Sequence, residues 1–192
     1  IIDSNLSGEL RISTINSYSA QLAPALKAFR DIHPAIRIKV LSTDDIVPLE
    51  SGAAHVSLRV GPKPDGADLI VKELTRFKTS YFASAEYIQT FGKPTTNSSY
   101  NQHYWALPTA DKYRIPFVRH IVDNIDKSRI VFQSNHFPDV NQAVIEGMGI
   151  GPMGEHQAKF YPSLVKVQLN SPQSEEAIWF VYHKDSKHSC LL

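Results

Sequence analysis

RISTINSYSAQLAPAL, residues 11–26, opens as a strand and closes as a helix. Residues 9–13 are a short β-prone run. Leu22, Ala25, Leu26 and Phe29 then recur at i, i+3, i+4 and i+7, the spacing of one helix face. Pro24 fits only in an early turn of that helix, where its missing N–H costs little. His33-Pro34 ends the helix, because the residue before a proline resists the α region. Between strand and helix stand Ser13, Thr14, Asn16, Ser17 and Ser19. So many small hydrogen-bonding side chains at one junction serve a helix cap, a ligand, or both.

Reading outward, Ile36, Ile38 and Val40 alternate as a second strand. Ser42-Thr43-Asp44 offers N-cap side chains for a short helix carrying Ile46 and Leu49, with Gly52 just past its end. Residues 56–60 form the next strand, closed by Gly61-Pro62. The order strand, helix, strand, helix, strand predicts a parallel sheet covered by helices on both faces. Residues 69–74 and 79–83 are extended, and residues 85–91 form a helix stopped by Gly92. After the polar residues 95–102 the alternation restarts: strand 104–107, helix 116–125, strand 130–132, helix 138–146, then strands 150–153, 165–169 and 178–182. The interruption and restart predict an α/β chain of two lobes. The chain is expected to cross near residues 81–84 and again near 178–181, giving lobe I as residues 1–82 with 182–192 and lobe II as residues 83–181.

Composition bounds the function. The 192 residues are 42% hydrophobic and 20% charged, ordinary for a globular chain. No apolar run approaches the roughly 20 residues that cross a bilayer, so no membrane partner is expected. The opening IIDSN has neither the basic start nor the apolar stretch of a signal peptide, and is expected to begin mid-chain. A net charge of +1 with scattered basic residues argues against a phosphate-binding footprint. The single cysteine, Cys190, cannot form an internal disulfide, and a cytoplasmic location is expected.

Most chemistry is excluded by motif. The eight histidines form no HExxH or similar cluster, and no CxxC is present, so no metal site is expected. The glycines of EGMGIGPMG, residues 146–154, follow a helix and enter a strand, the reverse of a dinucleotide fingerprint; they read as a helix C-cap and a close helix–strand approach. There is no GxSxG, and the pairs Asp44-Asp45 and Glu175-Glu176 sit at a helix start and in a polar loop. No catalytic residue and no cofactor are expected. What remains are two polar junctions: Thr14, Asn16 and Ser17 in the first half, and Gln133-Ser134-Asn135-His136 before the helix near Pro138. Parallel α/β sheets bind ligands outside the carboxyl ends of their strands, where free N–H groups and helix dipoles favour anions.

The chain resembles the effector-binding (co-inducer) domain of LysR-type transcriptional regulators. GELRIS with LAPALKAFRDIHP is similar to that family's opening "G-x-L-x-I … L-x-P-x-L-x-x-F-x-x-x-x-P". LESGAAHVSLRVGPKPDGADLIVKEL, residues 49–74, resembles its "L-x-x-G-x-x-D-hydrophobic-A-I-R-x-G" segment. YFASAEYIQTFGKP, VNQAVIEGMGIGPMGEHQA and WFVYHKDSKHS resemble its hinge-and-helix stretch, its glycine-rich helix–strand segment and its closing motif. The five stand in the family's order. Departures are His55 where the family has Asp, Pro152 one place early, no closing helix, and no N-terminal winged helix-turn-helix.

The resemblance implies two Rossmann-like lobes like those of type 2 periplasmic binding proteins, closing on a small, anionic effector between them. The implied contacts are Thr14, Asn16 and Ser17, then Thr43, then Arg59 and Val60, and from the second junction Ser134, Asn135 and His136. Arg59 would select a carboxylate or serve only a surface ion pair; His136 would add pH-dependent recognition or serve as a cap. The resemblance also implies a bacterial, cytoplasmic homodimer with antiparallel regulatory domains, the helix of residues 22–29 packing near that of residues 140–146 of a second copy. The full-length parent would be a tetramer that reaches DNA only through the missing domain. The rival from another class is the solute-binding protein of a transport system, and an enzyme on the same lobes is third.

Overall fold

The computed structural model describes residues 7–172 and 174–185. The chain forms two compact units: residues up to Arg76 with those from Glu176 onward, and Phe77–Glu175.

In the first unit, strand β1 (Gly8–Thr14) leads through turns to helix α1 (Ala23–Ile32), then strands β2 (Ile36–Ser42) and β3 (Val56–Gly61). β1 runs parallel to β2, with Leu10 beside Ile38, and parallel to β3, with Ile12 beside Val56. β3 pairs antiparallel with the far part of β9 (Ser174–His183), Arg59 beside Trp179. The apolar stripe of α1 packs through Leu22, Leu26 and Phe29 on Leu10, Ile12, Ile36 and Val56, while Ala25, expected in the same stripe, stays exposed. Burying each such aliphatic side chain contributes roughly 1.5–3 kcal/mol. Pro24 occupies the first turn.

Residues 43–55 depart from expectation. No helix forms there; the segment is a loop ending in a turn, Gly52 N–H to Leu49 O at 3.1 Å. Pro48 explains it. Its ring removes the amide a second helical turn would need, and it disfavours the α region for Val47. Leu49 is nevertheless buried with Ala54 against Ala177, Trp179 and Val181. The sheet is also not wholly parallel, because β9 enters it antiparallel to β3. The two expected extended segments are one strand, β4 (Leu69–Ser84).

The second unit continues from β4 into α2 (Ala85–Phe91), β5 (Trp105–Pro108), α3 (Pro116–Val122), β6 (Ile130–Ser134), α4 (Phe137–Ile145), β7 (Gly151–Gly154), α5 (Glu155–Ala158) and β8 (Leu164–Val167). β5 is parallel to β6, and β4 is antiparallel to β7 and β8. α3 stops three residues short of expectation. The Asn124 amide donates to His120 O at 2.7 Å, taking a carbonyl the next turn would use. Tyr81 forms edge contacts with Trp105 at 5.9 Å and Phe117 at 6.4 Å at the core, and its hydroxyl donates to Phe117 O at 2.8 Å.

The glycine-rich segment matches its expected role. α4 ends in a Schellman motif: Met148 N–H donates to Ala143 O at 3.0 Å and Gly147 N–H to Val144 O at 3.1 Å, with Gly147 at φ 79°. A Cβ at Gly149 would lie 2.6 Å from Tyr104 O, and one at Gly151 2.5 Å from Ala106 O. Only glycine lets these backbones approach so closely.

Candidate functional site

Three strands of the first unit end side by side, and a pocket of about 330 Å³ opens at those ends. β1 contributes Ser13 and Thr14. Thr43, Asp44 and Asp45 come from the loop after β2, and Ser57, Arg59 and Val60 from β3. Ile15, Ile46 and two prolines, Pro62 and Pro64, supply apolar wall, and Asp65 completes the lining. The loop is tied to the strand end by Thr43 N–H to Thr14 O at 2.9 Å. Thr43 Oγ1 then accepts from Asp45 N–H at 3.1 Å, folding the loop back as a hydroxyl turn.

Two groups in this pocket lack what burial normally demands. Ser13 and Thr14 are each 3% exposed, and their hydroxyl oxygens have no hydrogen-bond partner. A buried polar group left unmade costs about 1–3 kcal/mol. Ser13 lies beside Ser57 in the sheet and Thr14 beside Leu58, so the two hydroxyls stand on opposite faces; on the Ser13 face Arg59 is half-buried, and its Nε donates to Ser57 Oγ at 3.3 Å. Burial lowers the Arg59 pKa, but a guanidinium stays charged. Among the described residues no carboxylate lies within ion-pair distance of it. A half-buried cation on the sheet face that also carries the unpartnered Ser13 hydroxyl is a ready partner for a small molecule's acid group.

Four of the expected contacts therefore share one pocket: Thr14, Thr43, Arg59 and Val60. Asn16 and Ser17 do not line it. They sit in the turn after β1, where the Asn16 amide reaches the Asp44 carboxylate at 3.4 Å. The idea that this junction caps a helix is overturned. A turn and a 3-10 segment separate it from α1, whose N-cap, Leu22, offers no side-chain bond. Ser13, Ser57, Asp44, Asp45 and Asp65 were missed as site residues. The two aspartates looked like a helix start, but Pro48 denies them one.

The second junction divides differently. Ser134 is occupied as a turn-former: its hydroxyl donates to Asp139 at 2.6 Å and accepts from His136 N–H at 3.1 Å. Asn135 and His136 are exposed where α4 begins. His136 is the N-cap residue but makes no side-chain cap bond. A second pocket of about 280 Å³ lies in this unit, and none of the expected contacts lines it. No group of three potential metal ligands occurs among the described residues. No helix among them is long and apolar enough to cross a membrane.

A two-unit α/β chain with a ligand-sized pocket at the ends of parallel strands has the architecture in which such sheets hold small molecules. The profile of the LysR substrate binding domain matches residues 3–191, and the chain belongs to that family. It is the effector-binding domain of a LysR-type regulator. The regulatory domain of AphB from Vibrio vulnificus superimposes with a TM-score of 0.76 at 23% identity, covering 96% of this chain and 95% of that one. The CrgA regulatory domain of Neisseria meningitidis gives 0.79 at 17% identity, covering 96% and 93%. Full-length AphB of Vibrio cholerae gives 0.74 at 25% identity, covering 93% of this chain but 63% of that one. An HTH-type transcriptional regulator of Xanthomonas campestris pv. campestris (strain 8004) is 34% identical over 73 residues, which is 38% of this chain and 21% of the relative. All four are transcription regulators or parts of them, which favours that reading over a transporter's solute-binding protein.

Proposed function

We propose that this domain senses a small metabolite with an acid group for a bacterial, cytoplasmic transcription regulator, binding it in the Arg59 pocket without transforming it. The observation that carries the reading is a strand-end pocket whose lining holds the buried, unpartnered hydroxyls of Ser13 and Thr14 and a guanidinium with no carboxylate partner. Asn135 and His136 are kept as further ligand contacts, each to be tested by its own alanine substitution. Binding would alter DNA recognition by a helix-turn-helix domain elsewhere in the parent, and the parent would assemble as a homodimer or tetramer.

A thermal-shift screen of metabolites against the chain, followed by titration calorimetry, tests this. A true effector raises the melting temperature by mass action. Thr14→Val and Arg59→Gln should each weaken it by about tenfold or more, about 1.4 kcal/mol. Unchanged affinity in both variants would place the effector elsewhere.

A further inference from the structure

We propose that the ligand of the Arg59 pocket is a zwitterion of the amino-acid class, its carboxylate on Arg59 and the buried Ser13 hydroxyl and its ammonium facing the exposed aspartates of the same lining. The proposal rests on the reading of this pocket as the effector site and adds the chemical class of the occupant.

The argument starts from a mismatch of charge. Arg59 is the one cation in the lining, while Asp44, Asp45 and Asp65 are all carboxylates. A plain anion drawn to Arg59 would share the lining with these three like charges, whose repulsion solvent and salt weaken but do not remove. Nor do the opposite charges cancel each other. Arg59 bonds Ser57, and no carboxylate among the described residues comes within ion-pair distance of it. Cation and carboxylates line one pocket without meeting, so a guest carrying both signs complements both at once.

The buried end has an independent demand. The Ser13 and Thr14 hydroxyls are enclosed in the pocket lining with no protein partner. A carboxylate accepts from hydroxyls and guanidinium together, whereas an ammonium only donates and would face Arg59 as a like charge. The acid group therefore belongs inside and the ammonium at the exposed aspartates, Asp45 and Asp65 among them.

The experiment compares matched probes by calorimetry on the 192-residue chain: L-alanine, β-alanine, γ-aminobutyrate and δ-aminovalerate against propionate, butyrate and valerate, each up to about 10 mM. At least one amino acid should bind about tenfold more tightly than the acid of the same length. That preference should vanish in Asp45→Asn/Asp65→Asn, where acids bind at least as well as before, and Arg59→Gln should weaken both sets. Both aspartates are exposed, so the double variant should fold; its melting curve checks this. Acids that equal the amino acids in the unmodified chain, yet lose affinity in Arg59→Gln, would overturn the zwitterion and leave the pocket standing. Probes that bind Arg59→Gln undiminished would overturn the pocket itself. No binding by any amino acid also overturns the proposal.

Discussion

Thr14 is a place where function opposes stability. Its hydroxyl is buried at the end of β1 without a partner, a cost of about 1–3 kcal/mol that a ligand would relieve. Valine has nearly the same shape and no hydroxyl. Thr14→Val should therefore stabilise the ligand-free domain by about 1 kcal/mol, read as a higher urea midpoint, while weakening the effector. Destabilisation with unchanged binding would show that the hydroxyl has only a structural role. Thr14 stood out because it falls at the end of a strand whose alternation is plain in sequence, whereas Thr43, Arg59 and Val60 were named only through the family resemblance. Ser13 was not singled out, and whether a strand-end hydroxyl finds a partner depends on neighbours remote in sequence. The acidic wall was hidden for another reason: Asp44 and Asp45 imitate a helix N-terminus, and only Pro48, four residues past Asp44, decides against it.

At the level of elements, the clearest coupling joins the end of α4 to the start of α2. Gly147 closes α4 at φ 79°, and a Cβ there would lie 2.9 Å from Ser84 Oγ. That oxygen is the N-cap of α2, accepting from Tyr87 N–H at 3.1 Å. Gly147→Ala should cost about 2 kcal/mol, half from the left-handed backbone and half from the disturbed cap. Ser84→Ala alone should cost about 1 kcal/mol, and the double variant less than the sum, because the two residues touch. Strict additivity in denaturant unfolding would disprove the link. Helix α1 points outward instead. Its inner stripe packs on the sheet, while Ala25, Ala28 and Ile32, at i, i+3 and i+7, remain exposed. That second apolar stripe supports the proposed dimer. Sedimentation equilibrium should show concentration-dependent dimers that Ala28→Arg shifts toward monomer; a monomer at every concentration would remove the pairing.

Over the whole molecule, the order of strands and helices was readable because buried apolar positions carry the periods of their elements. The antiparallel entry of β9 was not, since strand direction is set by which chain end returns to the sheet and leaves no mark in residues 178–182. The response to pH is likewise collective. Burial holds the imidazoles of His103, His156 and His55 below their ordinary value of 6.5. For His156 and His55 the nearby Lys159 and Arg11 add to the effect. Each is neutral in the fold at a pH where the unfolded chain would protonate it. The unfolded state then binds more protons, so stability present above about pH 6.5 is lost as pH falls toward the folded values. Glu176 opposes this, because burial raises its carboxyl and favours the protonated folded form as pH falls. Glu155, bonded by Lys166 and Ser80, is held below the usual carboxylate range, so its contribution is lost only at lower pH. Three histidines against one glutamate predict a urea midpoint that falls between about pH 7.5 and 5.5. His103→Gln should flatten that slope, because His103 is the most deeply enclosed of the three, its Nδ1 3.3 Å from the Tyr87 hydroxyl. A midpoint that is level over this window, or a slope unchanged in His103→Gln, would mean that these imidazoles do not govern the acid response.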